Sequence, residues 1–478
     1  MPSHDADPPL ARSAPASPSH AANPSNTANP SNTASPTNTA SPSGVPAAGA
    51  LRGSAAPSPS NHAAVRRARW AVSLIFFLNG TSFCAILPRY PELVEHLELS
   101  KAAFGLAVGL GPIGGLLAGL LAARLMRTIG SGRTAIAFQI FASTSHLLIY
   151  ISSSWLWLAL ALMISSAVDA ITDIAMNAHG MRVERRYRRS MMNSFHGFWS
   201  LGAVTGGLLG AGAAQIGMAL WLQGLLGLVL FAVLALVAHS MILPGPDSTE
   251  REIASPAAAS AQDIPADPVP TGRMVAGASL RGLALILALG MMLVFAGSVE
   301  DAASTWGALL MGTTYGVGPF VAGLAFVAMQ AAQMTGRFLG DRIVDRLGDR
   351  TTARLGALIT AAGMSLALLI PHPAIAIAGF AAAGWGVATL FPAAFRAADD
   401  MPGVPPGVGI TLVGWLARIG FFLSPPVVGA LADQLGLHRA LWLVPLYALG
   451  ILILSGALAQ RRSGEELAPA ASTEHAGR

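Results

Sequence analysis

The sequence predicts an all-α integral membrane protein with twelve transmembrane helices in two pseudo-symmetric halves of six helices each. Composition is the first indication. The chain has 478 residues, of which 53% are hydrophobic and 11% are charged, whereas soluble domains carry about 25% charged residues. Its mean hydropathy is +0.56. The lengths of the apolar segments and an internal repeat are the second and third indications.

Twelve apolar windows predict the transmembrane helices, because about 20 apolar residues are needed to span the hydrocarbon core of a bilayer. Gly and Pro recur within these windows, which membrane helices tolerate. In chain order, the predicted spans 1 to 12 cover residues 70–88, 104–126, 134–152, 155–178, 191–215, 218–243, 280–300, 316–340, 353–371, 374–397, 408–432 and 438–460.

The distribution of arginines predicts the orientation in the membrane. Loops that follow even-numbered spans carry most of the arginines, whereas the opposite side carries only Arg89, Lys101 and Arg439. By the positive-inside rule, both termini are cytoplasmic in a multi-pass protein of the inner membrane. The net charge of +5 therefore reflects orientation, and we expect no nucleic-acid partner. The loop arginines are Arg124, Arg127 and Arg133 after span 2, Arg182, Arg185, Arg186, Arg188 and Arg189 after span 4, and Arg337, Arg342, Arg346, Arg350 and Arg354 after span 8.

Polar segments divide the chain into five parts. Residues 1–66 form a low-complexity cytoplasmic tail with a degenerate six-residue repeat over 22–45, a composition that predicts disorder. We expect a spacer or a start codon assigned too far upstream rather than a regulatory tail. The other parts are an N-terminal six-helix bundle, a cytoplasmic linker, a C-terminal six-helix bundle and a cytoplasmic tail, at residues 67–243, 244–279, 280–460 and 461–478.

An internal repeat relates the two halves. A shift of 218 residues places 130–135 over 348–353, and a shift of 219 residues places 209–217 over 428–436. Nearly constant offsets in separate loops indicate a duplication. Parallel six-helix halves related by an axis along the membrane normal are an alternating-access architecture, with the substrate site between the halves near the bilayer midplane.

The loop after span 8 resembles the signature of the major facilitator superfamily, G-x-x-x-x-D-R-x-G-x-R. The copy after span 2 keeps Gly130 and Arg133 but has Arg127 and Thr128 where the acid and the arginine belong. The resemblance implies a transporter with alternating access that acts as a monomer. The residues of this gating loop motif are Gly340, Asp341, Arg342, Asp345, Arg346, Gly348 and Arg350.

The resemblance narrows to the fucose permease-like branch of that superfamily. Residues 173–180, 184–186 and 194–196 carry it in the first half, and 299–300 with 306–309 carry it in the second. The branch includes sugar–proton symporters. The resemblance therefore implies a small polar cargo, protons as coupling ions, and an acid of span 7 that faces the central cavity.

A polar stripe within span 4 is the strongest functional indication. Asp169, Asp173 and Asn177 are spaced four residues apart, which places them on one helical face. Carboxylates at membrane depth cost roughly 2.5–3.5 kcal/mol each and mark routes for ions or substrate. Asp169 is a candidate proton carrier or, alternatively, a packing carboxylate paired with an arginine. Asp173 and Asn177 either contact cargo or form a cytoplasmic latch with Arg182 or Arg185.

Further candidates lie on spans 5, 7, 10 and 11. Glu300 lies at the outer end of span 7, or within it if the helix continues to Trp306. Arg418 of span 11 either neutralises Asp169 or Glu300 or binds an anionic substrate, because a guanidinium stays charged. The remaining candidates are a histidine that titrates near neutral pH and two aromatic side chains inside spans, all of them packing residues in the alternative interpretation: His196, Trp385 and Trp415.

These observations predict a secondary active transporter rather than an enzyme. The sequence has no HExxH, Walker or GxSxG motif, and Cys84 is its only cysteine, so we expect no cofactor and no metal. The predicted function is proton-coupled import of a sugar-like or other small polar organic solute across the bilayer. The alternatives are proton-coupled efflux of drugs or metabolites and a transport-inactive membrane sensor or scaffold.

Overall fold

The computed structural model describes residues 59–187, 191–245, 247, 280–401, 404 and 408–458. Every regular element within these residues is a helix. The α-helices are α1 Pro59–Cys84, α2 Tyr90–His96, α3 Lys101–Ile129, α4 Ser131–Tyr150, α5 Trp155–Tyr187, α6 Met192–Gln215, α7 Leu220–His239, α8 Leu280–Tyr315, α9 Pro319–Leu347, α10 Asp349–Leu369, α11 Pro373–Val387, α12 Leu390–Asp399, α13 Val408–Leu435, α14 Leu437–Ala440 and α15 Leu443–Leu454, with 3₁₀ turns at Leu87–Arg89 and Ser455–Ala457.

Each predicted span corresponds to a long helix, except two. Span 10 is divided between α11 and α12, and span 12 is divided between α14, α15 and the 3₁₀ turn Ser455–Ala457. Nine helical segments of the described chain are long and apolar enough to cross a membrane. The other three, α4, α6 and α9, carry more Gly, Ser, Thr and Gln. The predicted tail 461–478 and most of the linker 244–279 lie outside the described residues, as does the tail 1–66 up to the start of α1.

Three helices extend beyond the predicted ends of their spans. α8 continues to Tyr315, so Glu300 lies near its middle and the first of the two predicted positions, at the outer end, is wrong. α9 continues to Leu347 and contains Arg342 and Arg346, which were predicted to lie in the loop after span 8. α5 continues to Tyr187 and contains Arg182 in the same way.

Backbone turns repeat between the halves at the offsets found in the sequence. Three pairs of turns are related in this way. One pair, formed by the turn after α3 and the turn after α9, lies on the side of the bundle that carries the arginine-rich loops, here called the arginine-rich side. The other two pairs lie on the opposite, arginine-poor side. In each pair both residues have positive φ: Glu98 (49°) with Gly316 (62°), Gly130 (86°) with Gly348 (78°), and Gly217 (65°) with Gly436 (86°).

The halves approach each other most closely on the arginine-poor side, where α3 meets α13. A Cβ atom at Gly105 would stand 2.2 Å from the carbonyl oxygen of Pro425, and one at Gly109 would stand 2.6 Å from that of Phe422. Any larger residue at either position would separate the helices, because the atoms it would meet belong to the backbone. The two glycines therefore set the distance between the halves.

Two side chains join the halves at the same end. Asp433, near the end of α13, accepts hydrogen bonds from the backbone N–H groups of Lys101 and Ala102, both at 2.9 Å. Gln215, at the end of α6, accepts one from the N–H of Phe320 at 3.1 Å. Each side chain thus satisfies N–H groups in the first turn of a helix of the other half, where no intrahelical acceptor exists.

Replacement of Gly348 by alanine should destabilise the fold by about 1–3 kcal/mol, because its φ of 78° and ψ of 158° are readily adopted only by glycine. Gly312→Ala is the matched control, since a Cβ there would meet nothing within 4 Å. Thermal unfolding in detergent should give a lower midpoint for G348A than for G312A and the wild type. Equal midpoints would contradict the strained turn.

Candidate functional site

The first carboxylate of the polar stripe joins three helices. Asn79 of α1 donates its amide N–H to Asp169 Oδ1 at 2.7 Å, and Trp199 of α6 donates its indole N–H to Asn79 Oδ1 at 2.8 Å. Asn79 is buried and Asp169 is half-buried. The alternative of an arginine partner for Asp169 is wrong, because its hydrogen-bond partner within the described chain is this neutral amide.

The rest of the stripe borders an accessible space. Asp173 is exposed and Asn177 is half-buried, although both lie within the predicted membrane span. Asn177 donates its amide N–H to Asp173 Oδ1 at 3.0 Å. The predicted latch from Asp173 to Arg182 or Arg185 is wrong in this conformation. Arg182 instead pairs with Asp247 at 3.3 Å, and Asp173 forms no ion pair among the described residues.

Arg418 faces the stripe from the other half. Its side chain, in the middle of α13, is exposed, and its positive charge acts on the carboxylate of Asp173. The acids that it was predicted to neutralise have other partners in this conformation, because Asp169 accepts from Asn79 and Glu300 pairs with Arg337. Within the described part of the chain Arg418 has no ion-pair partner at 4.0 Å or less. The guanidinium is therefore available to a solute.

The bundle is open between α3 and α13 on the arginine-rich side. Gly109 still meets α13, but a Cβ at Gly115 or Gly119, further along α3, would meet only atoms of α5. Leu117 and Leu121 between and beyond them are 65% and 55% exposed. We infer from these contacts that the two helices diverge towards the arginine-rich side and leave a cavity that reaches the level of Asp173.

The two predicted tryptophans have different surroundings. Trp415 of α13 is 55% exposed on the divergent stretch of that helix. Trp385 of α11 is half-buried, and its ring and carbonyl oxygen lie beside Gly336 of α9. Trp415 is thus positioned to contact a solute in the cavity, whereas Trp385 packs within the C-terminal half.

Glu300 is the accessible carboxylate of the C-terminal half. Gln333 of α9 donates its amide N–H to Glu300 Oε1, and Arg337, one turn further along α9, lies 3.8 Å from the same oxygen. The side chain of Glu300 is 20% exposed. Arg337 also acts electrostatically on His196 of α6, whose ring packs edge-on against Phe76 with centroids 5.3 Å apart.

A second carboxylate, Asp301, is sealed inside the C-terminal half. It is 6% exposed. Ser424 of α13 donates its hydroxyl to Asp301 Oδ2 at 2.9 Å, and Thr305, one turn along α8, donates to Oδ1. Both oxygens are therefore bonded to hydroxyl groups, which is the usual requirement for a buried carboxylate.

The gating loop motif forms contacts within its own half. Its first five residues, through Arg346, occupy the last two turns of α9, and Gly348 makes the turn into α10. Arg350 donates to the carbonyl oxygens of Leu458 at 2.9 Å and Gly456 at 2.8 Å, and Asp349 pairs with Arg396 at 2.8 Å. In the first half, Asp247 accepts hydrogen bonds from Ser131 at the corresponding turn.

Sequence reasoning missed four polar residues that the fold brings to the acids: Asn79, Asp301, Gln333 and Arg337. The signal for Asn79 was an amide inside an apolar span, the criterion that identified Asp169. The signal for Gln333 and Arg337 was their spacing of four residues within a helix, which places both on one face. Their acceptor, Glu300, belongs to another helix and cannot be identified from spacing.

The chemistry of these groups is that of proton and hydrogen-bond exchange. Carboxylates, amides, a guanidinium and an indole line or adjoin the cavity, and all of them bind polar solutes through directional hydrogen bonds. The described residues contain no cluster of three or more His, Cys, Asp or Glu that could hold a metal ion.

Comparisons with known proteins agree on one family. A family model described as Major Facilitator Superfamily matches residues 72–309 and 289–475. An uncharacterized transporter, y4wD, of Sinorhizobium fredii is 28% identical over 386 residues, which cover 80% of this chain and 96% of that protein. The nucleoside transporter NupG has a TM-score of 0.62 at 12% identity and covers 81% of this chain and 98% of its own. A D-xylose-proton symporter has a TM-score of 0.62 at 15% identity, and the match covers 82% of this chain and 96% of the symporter.

A cysteine at position 415 should report the opening. In a Cys84→Ser background, Trp415→Cys should react with a membrane-impermeant maleimide in inverted vesicles at least about tenfold faster than Val413→Cys, which is fully buried two residues away on α13. Reactivity is measured as thiol labelling over time. If W415C reacts only with lipid-soluble reagents, its exposed face contacts lipid and the cavity is not open as described.

Proposed function

We propose that this chain, which belongs to the Major Facilitator Superfamily, imports a small polar organic solute together with protons. A transporter embedded in the membrane is what the family and its helices establish. The cargo and the coupling ion are our inference from the site. In this proposal the two halves rock about the cavity that opens between α3 and α13, and cargo binds there near the bilayer midplane.

The observation that carries the proton coupling is that Asp169 is held by a neutral amide. A carboxyl group accepts the N–H of Asn79 on one oxygen, at 2.7 Å, whether or not its other oxygen carries a proton. An arginine partner would instead favour the ionised form alone. Asp169 can therefore load and release a proton without losing its partner, which is what a proton carrier requires.

Glu300 is the second candidate carrier. It also accepts from an amide, that of Gln333, but Arg337 lies 3.8 Å away. This positive charge favours the ionised form of Glu300. A movement of α9 that separated Arg337 from Glu300 would release that restraint. Asp169 is consequently the favoured carrier, and Glu300 is a site whose proton affinity would change as the halves move.

The groups that face the cavity favour a hydroxylated cargo. Asp173, Asn177 and Arg418 supply acceptors and donors, and the ring of Trp415 supplies an aromatic surface on which a sugar ring stacks. The positive charge of Arg418 adds a preference for solutes with an anionic group. The resemblance to the fucose permease-like branch and the structural neighbours named for nucleosides and D-xylose support polar organic cargo.

The arginine-rich side is the cytoplasmic side in this proposal. The positive-inside rule then places both termini in the cytoplasm and the protein in the inner membrane. The cavity opens on that side, so the structure corresponds to an inward-open state. Because each half contributes its own carboxylates to one cavity, a single chain holds every group the cycle needs, and we propose that it acts as a monomer.

Asp169→Asn should abolish solute-dependent proton uptake but preserve exchange of labelled for unlabelled solute. Asparagine keeps the hydrogen bond to Asn79 but cannot bind a proton, and exchange requires no net proton movement. The measurement uses proteoliposomes loaded with a pH-sensitive dye and a panel of monosaccharides, sugar acids, nucleosides and lipophilic cations. Glu95→Gln, at an exposed carboxylate of α2, is the matched control and should behave as the wild type.

Three results would contradict parts of this proposal. Proton uptake that persists in D169N and disappears in E300Q would transfer the carrier role to Glu300. A pH signal with lipophilic cations alone would indicate proton-coupled efflux of drugs rather than import. Solute uptake that is equal with and without a proton gradient would remove the proton from the mechanism.

A further inference from the structure

Asp301 is the most completely buried acid near the site, and neither the cavity nor the proposed proton carriers use it. It is 6% exposed, and both of its hydroxyl donors, Thr305 and Ser424, are 3% exposed. Thr305 belongs to the same helix as Asp301. Ser424 belongs to α13, so only the bond from Ser424 to Asp301, at 2.9 Å, joins two helices.

Ser424 directly precedes two prolines that weaken the backbone hydrogen bonding of α13. Pro425 and Pro426 have no N–H groups, so the carbonyl oxygens of Phe421 and Phe422 lose their intrahelical donors. A helix with two missing hydrogen bonds bends easily and takes its shape from its neighbours. The bond to Asp301 restrains α13 directly before this weakened stretch.

The weakened stretch is also the surface on which the two halves meet. The carbonyl oxygen of Pro425 stands against Gly105 of α3, with no room for a Cβ atom between them. On the other side of Asp301, Trp306 packs edge-on against Phe104 of α3, with ring centroids 5.7 Å apart. Asp301 thus lies between two contacts that close the arginine-poor side.

We propose that Asp301 is a positioning residue of the transport cycle: by holding Ser424, it fixes the bend of α13 in the shape that closes the arginine-poor side against α3. The inference deepens the proposed function, because it rests on the alternating-access step, but it depends neither on the cargo nor on the proton. Loss of the bond to Ser424 shifts the population of the protein from the state open on the arginine-rich side to the opposite state.

Two single-cysteine reporters in a Cys84→Ser background distinguish this shift from general loosening. Ala211→Cys lies on α6 in the contact with Gly323 of α9, a closure of the same side that does not involve α13, and Ala211 is fully buried. Trp415→Cys reports the opposite opening. A shift between states raises labelling of the first and lowers labelling of the second, whereas partial unfolding raises both.

The matched pair of variants is Ser424→Ala and Thr305→Val. Each removes one hydroxyl donor from the same carboxylate, but only S424A removes a bond between helices. S424A should raise labelling of A211C by about tenfold, the effect of losing one hydrogen bond to a charged group, and should lower labelling of W415C. T305V should leave both rates at the wild-type value. A membrane-impermeant maleimide in right-side-out and inverted vesicles is the probe.

Asp301→Asn provides the remaining test. Asparagine keeps one acceptor oxygen without the negative charge, so D301N should change both rates in the same directions as S424A, and the double variant D301N/S424A should add nothing further. Equal effects of S424A and T305V, parallel increases at both reporters, or unchanged labelling in D301N would each overturn the proposal. Cargo-dependent proton uptake in proteoliposomes is measured separately, so failure of the proposed function would leave these results unaffected.

Discussion

The donor requirement of carboxylates within the membrane-spanning helices organises this structure. Apolar packing alone discriminates poorly between helix neighbours in a bilayer, because lipid chains are as apolar as leucine. A carboxylate at membrane depth must instead find donors, and it takes them from adjacent helices. Asp169 recruits α1 and, through Asn79, α6; Glu300 recruits α9; Asp301 recruits α13. The acids therefore help to specify which helices are neighbours.

The arginine-poor side is closed and the arginine-rich side is open because different groups of the two halves lie at each side. On the arginine-poor side, the backbone of α3 touches that of α13 at Gly105 and Gly109, and Asp433 and Gln215 satisfy helix N-termini of the opposite half. These contacts are short and specific to one arrangement. On the arginine-rich side α13 presents exposed polar and aromatic groups with no such fit. One side is thus closed by interlocking backbone, whereas on the other α13 leaves Trp415 and Arg418 exposed.

The sequence predicted the twelve helices, their division into two halves and the turns at Gly130 and Gly348, because bilayer thickness and backbone sterics act on residues close in the chain. It missed the length of α8. Two adjacent acids, Glu300 and Asp301, lower the hydropathy of any window that contains them, so the window ended there. The helix continues because donors from α9 and α13 satisfy both acids. Partners on other helices are tertiary information that spacing within one helix does not contain.

The halves share a backbone plan but have diverged in chemistry. At the offset of 218, the position of Glu300 corresponds to Ser82 and that of Asp169 to Val387, so neither carboxylate has an acidic counterpart. Identical acids at equivalent positions would face each other across the pseudo-symmetry axis and repel.

The clearest divergence concerns Trp199, which corresponds to Arg418 at the offset of 219. Both side chains carry hydrogen-bond donors, and they lie on corresponding helices of the two halves, α6 and α13. The indole donates within its own half, to Asn79, whereas the guanidinium acts across the cavity on Asp173. A duplicated position has thus become a structural donor in one half and an exposed charge in the other. In the proposed function, this asymmetry would give a two-fold scaffold one binding site with a defined polarity, because a cargo with an anionic end would bind in only one direction between the halves.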